Sequence, residues 1–190
     1  LLPALLQSAC AAGINMDYQA EVDDLLREGR NRETVETILA AGEGIYGERN
    51  RLLFHMDLGQ ALQLAGEYQK SARQFELADS LGNDLYTRSL SNEAASMVSS
   101  DLTIPYAGED FERILVNVFN ALNYAFLGQF EGALVEVRRL GSKFEALRAR
   151  GAGRYSADPF ALYLGGMFYE NAGEEDDALI SYRKAWKYYR

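Results

Sequence analysis

The stretch "GGMFYENAGEEDDALISYRKA", residues 165–185, decides the fold. An apolar, aromatic run of helical period ends at Gly173, four acids follow, and a second helical run begins. Two further segments align with it without gaps: "LGQALQLAGEYQKSARQFELA" (58–78) and "NALNYAFLGQFEGALVEVRRL" (120–140). In each, a glycine closes the first run: Gly66, Gly128 or Gly173. After it, in order, come a small residue (Ser71, Ala133, Ala178), an apolar one (Phe75, Val137, Tyr182), and Ala78, Leu140 or Ala185. Upstream, Gly59, Ala121 or Gly166 stands one helical turn before Leu62, Tyr124 or Tyr169. Glycine permits the left-handed backbone that ends a helix and reverses the chain. Small residues at the crossing let two antiparallel helices approach, and the large apolar ones fill the space between neighbouring pairs. A weaker copy surrounds Gly29, with Val22, Leu25, Thr34, Ile38 and Ala41.

The pattern resembles the tetratricopeptide repeat, a helix–turn–helix unit of about 34 residues. The third copy matches best, with Leu162, Gly166, Tyr169, Ala178, Tyr182 and Ala185 at the family's positions. The resemblance implies an all-α, irregular antiparallel helix-hairpin array, a tetratricopeptide-like α-solenoid. The glycines depart from a steady repeat, and the widest gap, Gly66 to Gly128, leaves room for an inserted helix and loop at about 84–108. Apolar periodicity predicts about nine helices, at 15–28, 31–42, 48–65, 69–81, 84–99, 109–127, 130–149, 158–172 and 175–189. "DLTIPY" (101–106) reads as a loop, because Pro105 removes a donor and biases Ile104 away from helix. Residues 15–190 then form a single helical-repeat domain.

A narrower resemblance covers 104–139. Tyr106, Gly108, Phe111 and Glu112, then Ala121–Tyr124, then Val135, Glu136, Arg138 and Arg139 are similar to the signature of an uncharacterised family of bacterial envelope proteins. Members are tetratricopeptide-like and usually expected to be lipoproteins. The N-terminus points the same way. "LLPALLQSACAAG" (1–13) is apolar and uncharged, with small residues around Cys10, like a signal-peptide remnant (1–14) running into a lipidation box. Gln7 stands where a Leu is usual, with Leu6 one place further out. The competing reading is the start of a short buried helix. The expected location is the bacterial periplasm, or the outer membrane through a lipid on Cys10; without a signal it is the cytoplasm.

The chain has 190 residues and a net charge of −9, which repels nucleic acid and anionic lipid headgroups. One Cys and one His exclude an intramolecular disulfide, a Cys-based metal site and a multi-His site. The acids of "GEEDDA" (173–178) are consecutive at a helix start and complement its dipole rather than converging on a metal. His55 reads as half-packed core, and the expectation is no catalytic residue, no metal and no cofactor.

Glu112, Asn123, Tyr124 and Glu136 form an unusual polar cluster beside Arg138 and Arg139. A hairpin would bring Glu112 toward the Arg pair, fixing helix register through a bidentate contact. Alternatively, the pair grips an anionic group of a partner. In tetratricopeptide arrays the first helix of each pair lines a concave face. By position this places Leu53, Met56, Gln60 and Gln63 there, then Leu115, Val118, Leu122 and Phe126, then Phe160, Tyr163, Met167, Glu170 and Asn171. Such a groove is apolar and aromatic, suited to a peptide, helix or protein partner. If 84–99 fills it, these residues are core. The resulting expectation is a non-enzymatic interaction module or scaffold of the cell envelope. The alternative is a structural subunit packed permanently into a larger envelope complex.

Overall fold

The computed structural model describes residues 16–93, 105–151 and 157–189, with the backbone alone at 89–93. Cys10 and the segment 94–104 lie outside the described residues. The described chain is all-helical. Its α-helices are α1 (Met16–Arg27), α2 (Asn31–Ile45), α3 (Arg51–Leu64), α4 (Tyr68–Glu93), α5 (Asp110–Phe126), α6 (Phe130–Ala149), α7 (Pro159–Asn171) and α8 (Glu175–Tyr188). A single 3-10 turn, Glu48–Asn50, precedes α3.

Eight α-helices stand among the described residues where the periodicity predicts nine. The predicted helices 69–81 and 84–99 begin as one, because α4 runs through Gly82 without a break. An interior glycine costs a helix only about 1 kcal/mol, which the tertiary packing of the helix as a whole can outweigh. Gly82 is buried. The gap left between the predicted helices 31–42 and 48–65 is also largely helical: α2 continues to Ile45 across a kink at Gly42 (φ 33°, ψ −134°).

Contacts gather the chain into two compact units, residues 1–108 and 109–190. In the first, α1 packs on α2, α2 on α3 and α3 on α4. In the second, α5 packs on α6 and α7, and α7 on α8. The four hairpin reversals are built alike. Gly29, Gly66, Gly128 and Gly173 all have φ between 70° and 79°. Each glycine N–H donates back three residues, and the next N–H donates back five: Gly66 to Gln63 and Glu67 to Leu62, Gly173 to Glu170 and Glu174 to Tyr169. This is the Schellman arrangement, which satisfies carbonyls left open at a helix end and selects glycine for its left-handed residue.

The small-residue crossings are equally concrete. A Cβ on Gly59 would lie 2.9 Å from the Phe75 ring, and one on Gly166 would lie 2.5 Å from the Tyr182 ring. Ser71 donates to the Gly59 carbonyl at 2.6 Å, tying α4 to α3 at the same place. Between α5 and α6 the aromatic contact is shifted: Tyr124 covers Gly132, while Ala121 and Ala133 are wholly buried.

Of the four groove residues expected on α3, Gln63 is half-buried and the other three are core. Leu53, Met56 and Gln60 are each 1% exposed, because α3 has α2 on one side and α4 on another. Val118 is likewise fully buried, with Ile114 and Ala121, in the core of the second unit, and Leu122 packs against that core.

A candidate partner-binding face on the last hairpin

The α7–α8 hairpin starts with a well-formed cap. Asp158 accepts from the Ala161 N–H at 2.7 Å, and Pro159 occupies the first turn, where its missing N–H costs nothing. Helix α7 is almost wholly apolar, so its period cannot separate an inner from an outer face by polarity. Packing makes the separation instead. Ala161, Leu164 and Phe168 enter the core. Phe160, Tyr163 and Met167, at i, i+3 and i+7, are each nearly half exposed along one stripe.

Helix α8 adds to this surface. The Tyr182 ring lies 5.5 Å from that of Tyr163, and its hydroxyl donates to Glu170 at 2.6 Å. That hydrogen bond, with a smaller contribution from burial, pushes the Tyr182 phenol up to about 12. Tyr163, Glu170, Tyr182, Ala185, Trp186 and Tyr189 line an open groove of about 530 Å³. Trp186 and Tyr189 are more than 60% exposed, far more than large aromatics usually are.

A second hollow, of about 380 Å³, is lined by Phe111, Ile114, Leu115, Ala157, Asp158, Pro159 and Tyr188. Of the residues expected on the concave face, then, Phe160, Tyr163 and Met167 form an exposed stripe and Leu115 lines the smaller hollow. Phe126 is exposed at the end of α5 but lines neither.

The polar cluster has a different centre from the one the spacing predicts. Glu136 is 2% exposed and accepts from Asn117 Nδ2 (2.6 Å), Asn120 Nδ2 (3.2 Å) and Arg139 (2.8 Å). Arg138 instead crosses to Glu174 at the start of α8, at 2.6 Å. Arg138 is about half exposed and Glu174 about a third, so screening keeps the net value of that contact small, whereas the half-exposed Arg139 reaches a carboxylate that is itself buried. Glu112 is fully buried and accepts from the Glu109 N–H at 2.7 Å, closing the first turn of α5. Asn123 is fully buried and Tyr124 half-buried. At the far end of this hairpin the cross-helix cations are Lys143, on the Arg113 carbonyl, and Arg150, on Asp110.

Asn117 and Asn120 were not among the residues the sequence singled out. Their signal is present: with Asn123 they recur every three residues along the mostly apolar run from Ile114 to Phe126. A second buried polar chain was also missed. Tyr18 and Tyr46 share a hydroxyl–hydroxyl bond (3.1 Å), and Tyr46 donates to the buried Asp57 (2.8 Å). Burial is the leading cause that raises both phenols, and it takes Tyr18 to about 12. His55 is half-buried as expected, with Nδ1 2.8 Å from Gln74 Oε1. Among the described residues no three His, Cys, Asp or Glu side chains are grouped to hold a metal ion. No helix among them is long and apolar enough to cross a membrane.

Compared with family models, curated proteins and solved structures, the chain matches none of them.

Proposed function

We propose that this chain is a non-enzymatic protein-interaction module, a tetratricopeptide-like scaffold of a bacterial cell envelope, which docks a partner protein on its α7–α8 hairpin. The observation that carries this reading is the exposed stripe of Phe160, Tyr163 and Met167 beside the groove formed with Tyr182, Trp186 and Tyr189. Interface cores are enriched in Tyr, Trp, Phe and Met, and contiguous exposed patches of these residues mark docking surfaces. The envelope location rests on the sequence alone, through the lipidation-box resemblance around Cys10 and the signature at 104–139. The same exposed face would also serve a subunit held permanently in a larger complex.

The test is site-specific photo-crosslinking. A photoreactive aromatic amino acid replaces Tyr163 in the full chain, in cells that make the protein naturally, and Glu145 serves as an exposed control position on α6. A discrete protein adduct from position 163, absent from 145, is the expected result. No adduct at 163 removes the docking reading. Release of that partner on dilution supports an adaptor, whereas stoichiometric co-purification supports the permanent subunit.

A further inference from the structure

Resting on that docking reading, we infer that the α7–α8 groove recognises an arginine side chain presented by the partner protein. Four aromatic side chains, Tyr163, Tyr182, Trp186 and Tyr189, line one groove together with a single carboxylate, Glu170. Aromatic faces carry negative electrostatic potential and attract cations, Trp most strongly. A guanidinium is the cation that such a lining fits best. It stacks flat on aromatic rings, is weakly hydrated, and offers several N–H donors to a carboxylate, whereas an ammonium is a compact, strongly hydrated charge.

Glu170 is set up for this role. Its Oε2 accepts from Tyr182, which fixes the carboxylate at the groove. Its Oε1 takes no hydrogen bond, and Glu170 forms no ion pair, among the described residues. Arg183, Lys184 and Lys187 lie on α8 itself, and Lys187 stands 5.7 Å from the Tyr188 ring centroid rather than at Glu170. The electrostatic setting agrees: Glu174, Glu175, Asp176 and Asp177 open α8, and the chain carries −9 overall, which favours a basic partner segment.

Trp186 is the sole tryptophan of the chain and lines the groove, so its emission reports occupancy directly. The probe is a capped peptide with one central arginine among alanine and glycine, titrated into the full protein at low salt. Two companions replace that arginine by lysine and by citrulline, its neutral isostere. The arginine peptide should shift Trp186 emission saturably, the lysine peptide should bind more weakly, and the citrulline peptide at least tenfold more weakly. Glu170→Gln keeps an acceptor for Tyr182 and should weaken the arginine peptide about tenfold, with helical circular dichroism unchanged. The citrulline comparison uses the unaltered protein, so it stands even if that variant misfolds. Equal binding of arginine and citrulline peptides, or no saturable response to arginine, overturns the inference. If the position-163 adduct persists in that case, partner docking survives and only the arginine recognition falls. If the adduct is also absent, both fall.

Discussion

The α3–α4 and α7–α8 hairpins carry the same pattern and meet different ends. Both turn at a left-handed glycine, and both press an aromatic ring of the second helix onto a glycine of the first. Yet Phe75 is fully buried, while Tyr182 is half-buried and lines an open groove. On α3, Leu53 and Met56 disappear beneath a neighbouring helix. On α7, Phe160, Tyr163 and Met167 remain exposed. The repeat pattern therefore specifies how two helices close on each other. Whether their outer stripe becomes core or surface depends on what packs there.

The sharpest way to break this comparison is to truncate the two rings. Phe75→Ala should cost about 3–5 kcal/mol, the usual range for a buried phenylalanine. Tyr182→Ala should cost less than about half as much, because a half-exposed ring leaves a site that water can enter. Urea unfolding followed by circular dichroism reads both. Equal costs would mean that the hairpins do not differ as described.

The two buried carboxylates give the next effect. Glu136→Ala leaves Asn117 and Asn120 without their acceptor, and Asp57→Ala leaves Tyr46 without its own. Each should cost about 2–3 kcal/mol, the desolvation of newly orphaned buried donors. A loss below about 0.5 kcal/mol in either denaturation curve would show that water or neighbouring groups satisfy those donors.

A smaller contrast concerns the crossing glycines. Gly59→Ala should destabilise by about 1–3 kcal/mol, since the new methyl meets a ring that has no room to move. Gly166→Ala creates the closer clash, yet it should cost less, because Tyr182 can swing outward toward solvent. If Gly166→Ala proves the more damaging in matched melts, Tyr182 is held more rigidly than its exposure implies.

The smallest effect is alkaline. The Tyr18 phenol, raised to about 12 chiefly by burial, is held in its neutral form more tightly when folded than when unfolded, where it titrates near 10. Its contribution is therefore complete below about pH 10 and fades as pH rises toward 12. Tyr18→Phe should make the decline of stability with pH shallower over that window. The decline should not vanish, because Tyr46 is raised as well. An unchanged slope in urea titrations would contradict the buried pair.

The turns were legible in the sequence because their cause is local: one glycine per reversal, flanked by small and aromatic residues at fixed spacing. The continuity of α4 was not, because Gly82 resembles the other glycines until its burial is known. The α7 stripe was legible as a helix face, but its exposure was not, since Leu53 and Met56 carry the same signature and are core. Buried polar groups were the hardest to see. Asp57, Asn117 and Asn120 read as surface residues from their type, and only their partners on other segments explain why they are inside.

The four glycine reversals bear on how the chain reaches its fold as well as on what the fold is. Each joins two helices adjacent in sequence, and within each unit the principal packing partners are likewise helices adjacent in sequence. Little loop-closure entropy separates a nascent helix from its partner, and chains dominated by such local contacts fold fastest. Each reversal can thus close on its own helices before distant segments meet, so damage to a single hairpin should leave the other turns able to form.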